Sequence, residues 1–169
     1  MDDSAAAERQ RLGQRLVVRM DAEASPALRR QAGRGEIGGV ILFPPAGTPP
    51  RALRSQVAKL QRAAAEAGQP PLIVAIDQEG GEVKRLPELP PDISPPEIAA
   101  QGPDIAREQG LAAGRALSRL GINVDLAPVL DVPAEPRAFP RLNGVAWRVC
   151  EPVPKVPPKK SSPALPKRA

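Results

Sequence analysis

The stretch Leu72-Ile-Val-Ala-Ile-Asp-Gln-Glu-Gly-Gly-Glu-Val-Lys-Arg85 joins an unbroken apolar run to an acid, an amide, a second acid and two glycines. A strand covered on both faces of a parallel sheet has no polar alternation, and Leu72–Ile76 has none. Asp77 stands where that strand ends, and the carboxyl ends of parallel strands are where α/β folds build ligand sites. Gly80 and Gly81 then permit a sharp turn and a close approach by a ligand or by another segment of backbone.

The flanks of this stretch alternate helices and strands without an internal sequence repeat. Upstream, Arg51–Ala67 places Leu53, Val57, Leu60 and Ala64 three or four apart, the spacing of one buried helical face, and Gly68 stops it. Before it, Gly38–Phe43 is short, continuous and β-branched, a first strand, followed by the Pro/Gly-rich loop 44–50. Earlier still, Ser25-Pro26 opens a helix that runs to Arg34 and closes at Gly35. The segment Ser4–Met20 is Ala-, Arg- and Leu-rich and reads as an amphipathic helix with Leu12, Leu16 and Val17 on one face. Downstream, Leu86–Pro103 is a proline-dense loop. Asp104–Leu120 is a helix with Ile105, Leu111 or Ala112, Ala116 and Leu120 marking its face, ended by Gly121. Ile122–Leu130 is the third strand, with Asp131 just past it. Strand, helix, strand, helix, strand makes two consecutive right-handed crossovers in a parallel sheet. The fold class is α/β.

Composition narrows the chemistry. The chain has 169 residues, enough for one domain with a core but short of the roughly 250 usual for a complete eight-unit α/β barrel. There is no histidine, which removes an imidazole acid or base, a Ser-His-Asp triad and a histidine metal site. Cys150 is alone, so no intrachain disulfide and no cysteine metal cluster forms. No cofactor is expected. The net charge of +5 belongs mostly to the tail: residues 151–169 hold five bases and one acid, and residues 1–150 carry a net +1. That balance gives no globular nucleic-acid-binding face. The polar, acidic N-terminus is no secretory signal and no apolar run reaches membrane-spanning length, so no membrane partner is expected and the expected location is the cytoplasm.

Three strands would thus present Phe43-Pro44, Asp77 and Asp131 at one end of a sheet. An acid just past a strand often caps a helix or closes a turn. The paired glycines raise Asp77 above that ordinary role, while Asp131 keeps it. Glu79 reads as a helix-start acid, Glu82 as a solvated charge, and Lys84 and Arg85, on their own, as surface residues.

The segments Ile37-Gly-Gly-Val-Ile-Leu-Phe43, Ile76-Asp-Gln-Glu-Gly-Gly-Glu-Val-Lys-Arg85 and Gly121-Ile-Asn-Val-Asp-Leu-Ala-Pro-Val-Leu-Asp-Val132, in this order and spacing, resemble the N-terminal domain of glycoside hydrolase family 3, in its bacterial β-N-acetylhexosaminidase branch. Gly13-Gln14 and the helix Pro26–Arg34 fit as well. The resemblance implies a partial (β/α)8 barrel, about its first three βα units. It implies removal of a terminal β-linked N-acetylglucosamine-type sugar, for example from peptidoglycan fragments, by a retaining mechanism. It also implies that Asp77 and Arg85 bind the sugar. Glu82 departs from the pattern, which has a base at that place.

From Pro140 the pattern is lost: Asn143 falls where the family has a substrate-contacting arginine, and Arg137 and Arg141 are out of register. The domain is therefore expected over residues 1–139, with a basic, proline-rich, disordered tail over 140–169. The resemblance assigns no nucleophile and no acid/base group to any residue present. The expectation is a truncated form that is inactive alone. The alternatives are a non-catalytic sugar-binding remnant and an interaction protein acting through its tail.

Overall fold

The computed structural model describes residues 3–128. Asp131, Arg137, Arg141, Asn143, Trp147, Cys150 and the tail 140–169 lie outside the described residues. The chain runs α1 (Asp3–Gly13), β1 (Val17–Met20), α2 (Pro26–Gly33), β2 (Gly39–Leu42), α3 (Pro50–Glu66), β3 (Ile73–Ile76), β4 (Gln78–Gly80), β5 (Val83–Lys84), α4 (Pro95–Gln101), α5 (Pro103–Ser118) and β6 (Val124–Asp125). Strands β1, β2, β3 and β6 form one parallel sheet in that order, and β4 and β5 form a separate antiparallel pair. The α/β class is as expected, and the main sheet is the opening portion of a (β/α)8-type barrel: three βα units and the strand that follows them.

The first of those units departs from the sequence reading. The segment Ser4–Met20 is not one helix. Gly13 ends α1, and the β-branched pair Val17-Val18 continues as β1, paired in register from Val17 opposite Gly39 to Met20 opposite Leu42. Leu12, Leu16 and Val17 do not form a buried face; they are among the exposed large apolar side chains. The sheet therefore contains three crossovers where two were expected.

The next two helices follow their sequence signals. Ser25 caps α2 through its hydroxyl, which accepts from the Leu28 N–H at 3.1 Å, and Pro26 occupies the first turn. Along α3, Leu53, Val57, Leu60 and Ala64 are all buried. They join Leu28 and Ala32 of α2, and Val40, Leu42, Val74 and Ile76 of the central strands, in one apolar cluster. Burial of these aliphatic groups, at about 25 cal/mol for each Å² removed from water, is what holds the helices on one face of the sheet.

Three further differences bear on the site. The loop expected over Leu86–Pro103 contains α4. Its start is a capping box in which the Ser94 N–H donates to Glu97 Oε2 at 2.8 Å and the Ser94 hydroxyl donates to the same oxygen at 2.6 Å. On α5 the buried positions are Ala113 and Leu117, and Leu111 is exposed. The third expected strand shortens to Val124–Asp125, paired with Ala75 and Ile76.

Candidate functional site at the carboxyl ends of the strands

Register decides which side chains reach the rim. Arg19, Ile41, Ala75 and Val124 lie side by side across the four strands. Side chains two residues apart on a strand share a face. Phe43 and Asp77, each two residues past this row, therefore leave the sheet on the side opposite the packed helices. The Phe43 N–H still donates to the Met20 carbonyl at 2.8 Å, which extends the ladder to the rim.

Beyond Asp77 the chain reverses through the β4–β5 hairpin. Gln78 pairs with Lys84 and Gly80 with Val83, with a bulge between them. The two glycines that make the turn have φ of +93° at Gly80 and +62° at Gly81. A β-carbon on Gly80 would stand 2.7 Å from the Ile93 carbonyl oxygen, and one on Gly81 would stand 3.0 Å from Ser94 Cβ. The close approach expected at this pair is thus made by the segment that leads into α4. Glu79 is not a helix-start acid; it belongs to β4 because the chain here turns back as a ribbon.

The reversal brings Arg85 back beside Asp77. Arg85 Nη2 donates to Asp77 Oδ2 at 3.1 Å, and the Arg85 backbone N–H donates to the Asp77 carbonyl at 3.4 Å. The pair is partly sheltered, with 19% of the Asp77 side chain and 37% of the Arg85 side chain exposed. Arg85 Nε is buried and finds no acceptor among the described residues. The two residues singled out in the sequence are therefore brought together, while Asp131 lies outside the described residues.

Gln78 is fully buried and holds the hairpin in place. Its Nε2 donates to the carbonyls of Leu86 at 2.9 Å, Leu89 at 3.1 Å and Pro90 at 3.1 Å, and its Oε1 accepts from the Leu86 N–H at 3.0 Å. These bonds fix the chain on the far side of Arg85.

Two acids lie near the pair: Asp125, which the sequence reading did not single out, and Glu79, which it read as a helix-start acid. Asp125 Oδ1 accepts from the Gln78 backbone N–H at 3.1 Å. Burial pushes the Asp125 carboxyl above the ordinary carboxylate range, the Gln78 N–H opposes that, and the charge of Asp77 adds to it. Glu79 is raised as well, by burial first and then by Asp77, with Arg85 acting against them and Asp125 with them. The alternation of Ile122-Asn-Val-Asp-Leu126 is the sequence signal that would have marked Asp125 as a side chain turned away from its apolar neighbours. Chemically, the rim and its border offer one carboxylate already engaged by a guanidinium, two acids whose pKa burial raises and, among the described residues, one buried donor without an acceptor. Such a set suits hydroxyl groups, which donate and accept at once. No group of three metal-ligating side chains occurs among the described residues.

Comparison with known proteins extends this picture. Residues 7–144 match the family described as the glycosyl hydrolase family 3 N terminal domain. A β-hexosaminidase of Nitrosomonas eutropha is 35% identical over 115 residues, covering 63% of this chain and 32% of that protein. A glycoside hydrolase family 3 β-N-acetylglucosaminidase from Paenibacillus sp. superposes with a TM-score of 0.67 at 34% identity, covering 73% of this chain and 24% of that one. A β-N-acetylhexosaminidase from Beutenbergia cavernae superposes with a TM-score of 0.64 at 30% identity, covering 81% of this chain and 42% of that one. The chain spans between a fifth and a third of the length of the curated relatives it matches.

Proposed function

We propose that this chain, which belongs to the glycosyl hydrolase family 3 N-terminal domain, grips the terminal N-acetylglucosamine-type sugar of a β-linked glycoside through Asp77 and Arg85. The observation that carries the reading is the Arg85–Asp77 hydrogen bond at the carboxyl end of β3, on the sheet face away from the helices. An ionised carboxylate accepts strong hydrogen bonds from hydroxyl groups, and a guanidinium presents further donors in a fixed fork. Each of the two orients the other before the sugar arrives, so little freedom is lost on binding.

The reaction we assign to the whole site is hydrolysis of the glycosidic bond with retention. It needs a nucleophile and an acid/base group about 5 Å apart. Among the described residues, Asp77 is engaged by Arg85, and Asp125 by the backbone of Gln78. We therefore assign Asp77 to holding the sugar and Asp125 to holding the hairpin, and neither to breaking the bond. The names of the relatives, β-hexosaminidase and β-N-acetylglucosaminidase, support the sugar class.

The test is calorimetric titration of the chain with N-acetylglucosamine, beside Asp77→Ala. The substitution is expected to weaken binding by about tenfold or more, the loss of one charge-assisted hydrogen bond and of the partner that orients Arg85. Equal affinities in the two chains would end this reading.

A further inference from the structure

Phe43 holds two guanidinium groups at once. Arg85 Cζ lies 4.7 Å from the centre of its ring, and Arg19 Cζ lies 4.8 Å from it. Both are inside the roughly 6 Å over which the negative face of a ring attracts a cation. Each arginine also meets an acid: Arg85 Nη2 lies 3.1 Å from Asp77 Oδ2, and Arg19 Nη2 lies 2.7 Å from Asp21 Oδ1. The series Asp21, Arg19, Phe43, Arg85, Asp77 thus crosses the ends of β1, β2 and β3.

The two arginines are not held alike. Arg19 and Asp21 are 66% and 58% exposed, so water screens their attraction and the pair is weak. Arg19 can exchange Asp21 for another acceptor at small cost while its charge stays at the ring. Arg85 has fewer choices. Its Nη2 is committed to Asp77, its backbone N–H is committed to the Asp77 carbonyl, and its Nε is buried with no acceptor among the described residues. The hydrogen bond fixes where one end of the guanidinium lies. It does not fix the rotation of the guanidinium about that bond, and attraction to the Phe43 ring, whose centre lies 4.7 Å from Cζ, restricts it.

We propose that Phe43 is a positioning residue that sets the plane of Arg85 against Asp77, and that Arg19 is a further sugar-contacting residue brought to the same rim by the same ring. The second half rests on the reading of Asp77 and Arg85 as the sugar grip. The first half stands on the contact between Arg85 and the ring alone. The ligand class is a neutral sugar whose hydroxyl or amide oxygens accept from Arg19 in place of Asp21.

The experiment compares the full chain with Phe43→Leu, Phe43→Tyr and Arg19→Gln. Side-chain NMR is read without ligand. In the parent and in Phe43→Tyr, the Arg85 and Arg19 side-chain protons are expected to be shifted by the ring current, and in Phe43→Leu they return to unshifted positions. Titration with N-acetylglucosamine is then expected to show affinity weakened about fivefold in both Phe43→Leu and Arg19→Gln, and kept in Phe43→Tyr. If Phe43→Leu does not fold, Phe43→Met repeats that arm with similar size and no ring. Unshifted Arg85 protons in the parent, or unchanged affinity in the ringless variant, overturn the positioning role. Unchanged affinity in Arg19→Gln overturns the role of Arg19. A parent chain with ring-shifted arginines that binds no sugar overturns the sugar reading together with the role of Arg19, while the shifts themselves uphold the placing of Arg85 by Phe43.

Discussion

The backbone N–H of Gln78 donates to Oδ1 of Asp125 at 3.1 Å, so the first residue of β4 is tied to the last strand of the sheet. This bond joins positions 47 residues apart and sets where the hairpin leaves the sheet. It is made by a carboxyl that pays for its burial in charge, and that cost can be measured.

Burial raises the Asp125 carboxyl, the Gln78 N–H lowers it, and the Asp77 charge raises it again, with a net upward shift. The folded state therefore keeps this proton to a higher pH than the unfolded chain does. The stability contributed by the group is greatest below the unfolded pKa and falls as pH rises through the folded one. Asp125→Asn retains an oxygen for the Gln78 N–H and removes the charge. Thermal melts are expected to show the variant equal to the parent near about pH 3 and more stable than it near about pH 7. A variant equal to the parent near about pH 3 but less stable than it near about pH 7 would mean that the charge strengthens the Gln78 bond by more than burial costs.

Gln78 itself bears the larger structural load. Its fully buried amide satisfies the carbonyls of Leu86, Leu89 and Pro90 and the N–H of Leu86, the two bonds to Leu86 being buried and the other two partly so. Gln78→Met keeps the length of the side chain and removes every one of these bonds. Leaving several backbone groups buried and unpaired is expected to cost about 3 kcal/mol or more. Urea unfolding checks this through the midpoint at unchanged slope. A loss below about 1 kcal/mol would show that water reaches these groups and that Gln78 does not hold the hairpin.

How much of this was legible in the sequence depends on whether the deciding contact is local. The face Leu53, Val57, Leu60, Ala64 and the run ending at Ile76 are local patterns, and both appear in the structure with those residues buried, except Ile73, which is exposed where the run was expected to be covered on both faces. The cap at Ser25 is local too. Strand β1 is four residues long and adjoins an Ala- and Arg-rich stretch whose spacing suits a helix. What makes it a strand is pairing with Gly39–Leu42, a contact no short window contains. The start of α4 did carry a signal, Ser94 with Glu97 three residues on, but the surrounding prolines read as loop. At the site, Asp77 was visible from the strand it ends and Arg85 only through family resemblance. Asp125 was hidden because its partner, the Gln78 N–H, is distant in sequence. The structure also settles what the paired glycines approach: it is the chain at Ile93 and Ser94.

That approach makes the two glycines unequal, and the inequality can be tested. Gly80 has φ of +93° and faces a backbone carbonyl, that of Ile93, at 2.7 Å from where a β-carbon would sit. A carbonyl fixed in the chain cannot step aside without moving the segment that enters α4. Gly81 has φ of +62°, within the left-handed region that other residues occasionally visit, and its neighbour is the Ser94 side chain at 3.0 Å. Gly80→Ala therefore combines strained backbone with a clash and is expected to cost about 3 kcal/mol, whereas Gly81→Ala costs about half as much. Because the hairpin carries Arg85 back to Asp77, Gly80→Ala is also expected to weaken N-acetylglucosamine binding, and Gly81→Ala to weaken it less. Parallel urea unfolding and sugar titration of the two variants check the order. If Gly81→Ala proves the more damaging in both, the turn is held by the Ser94 side chain and not by the backbone at Ile93.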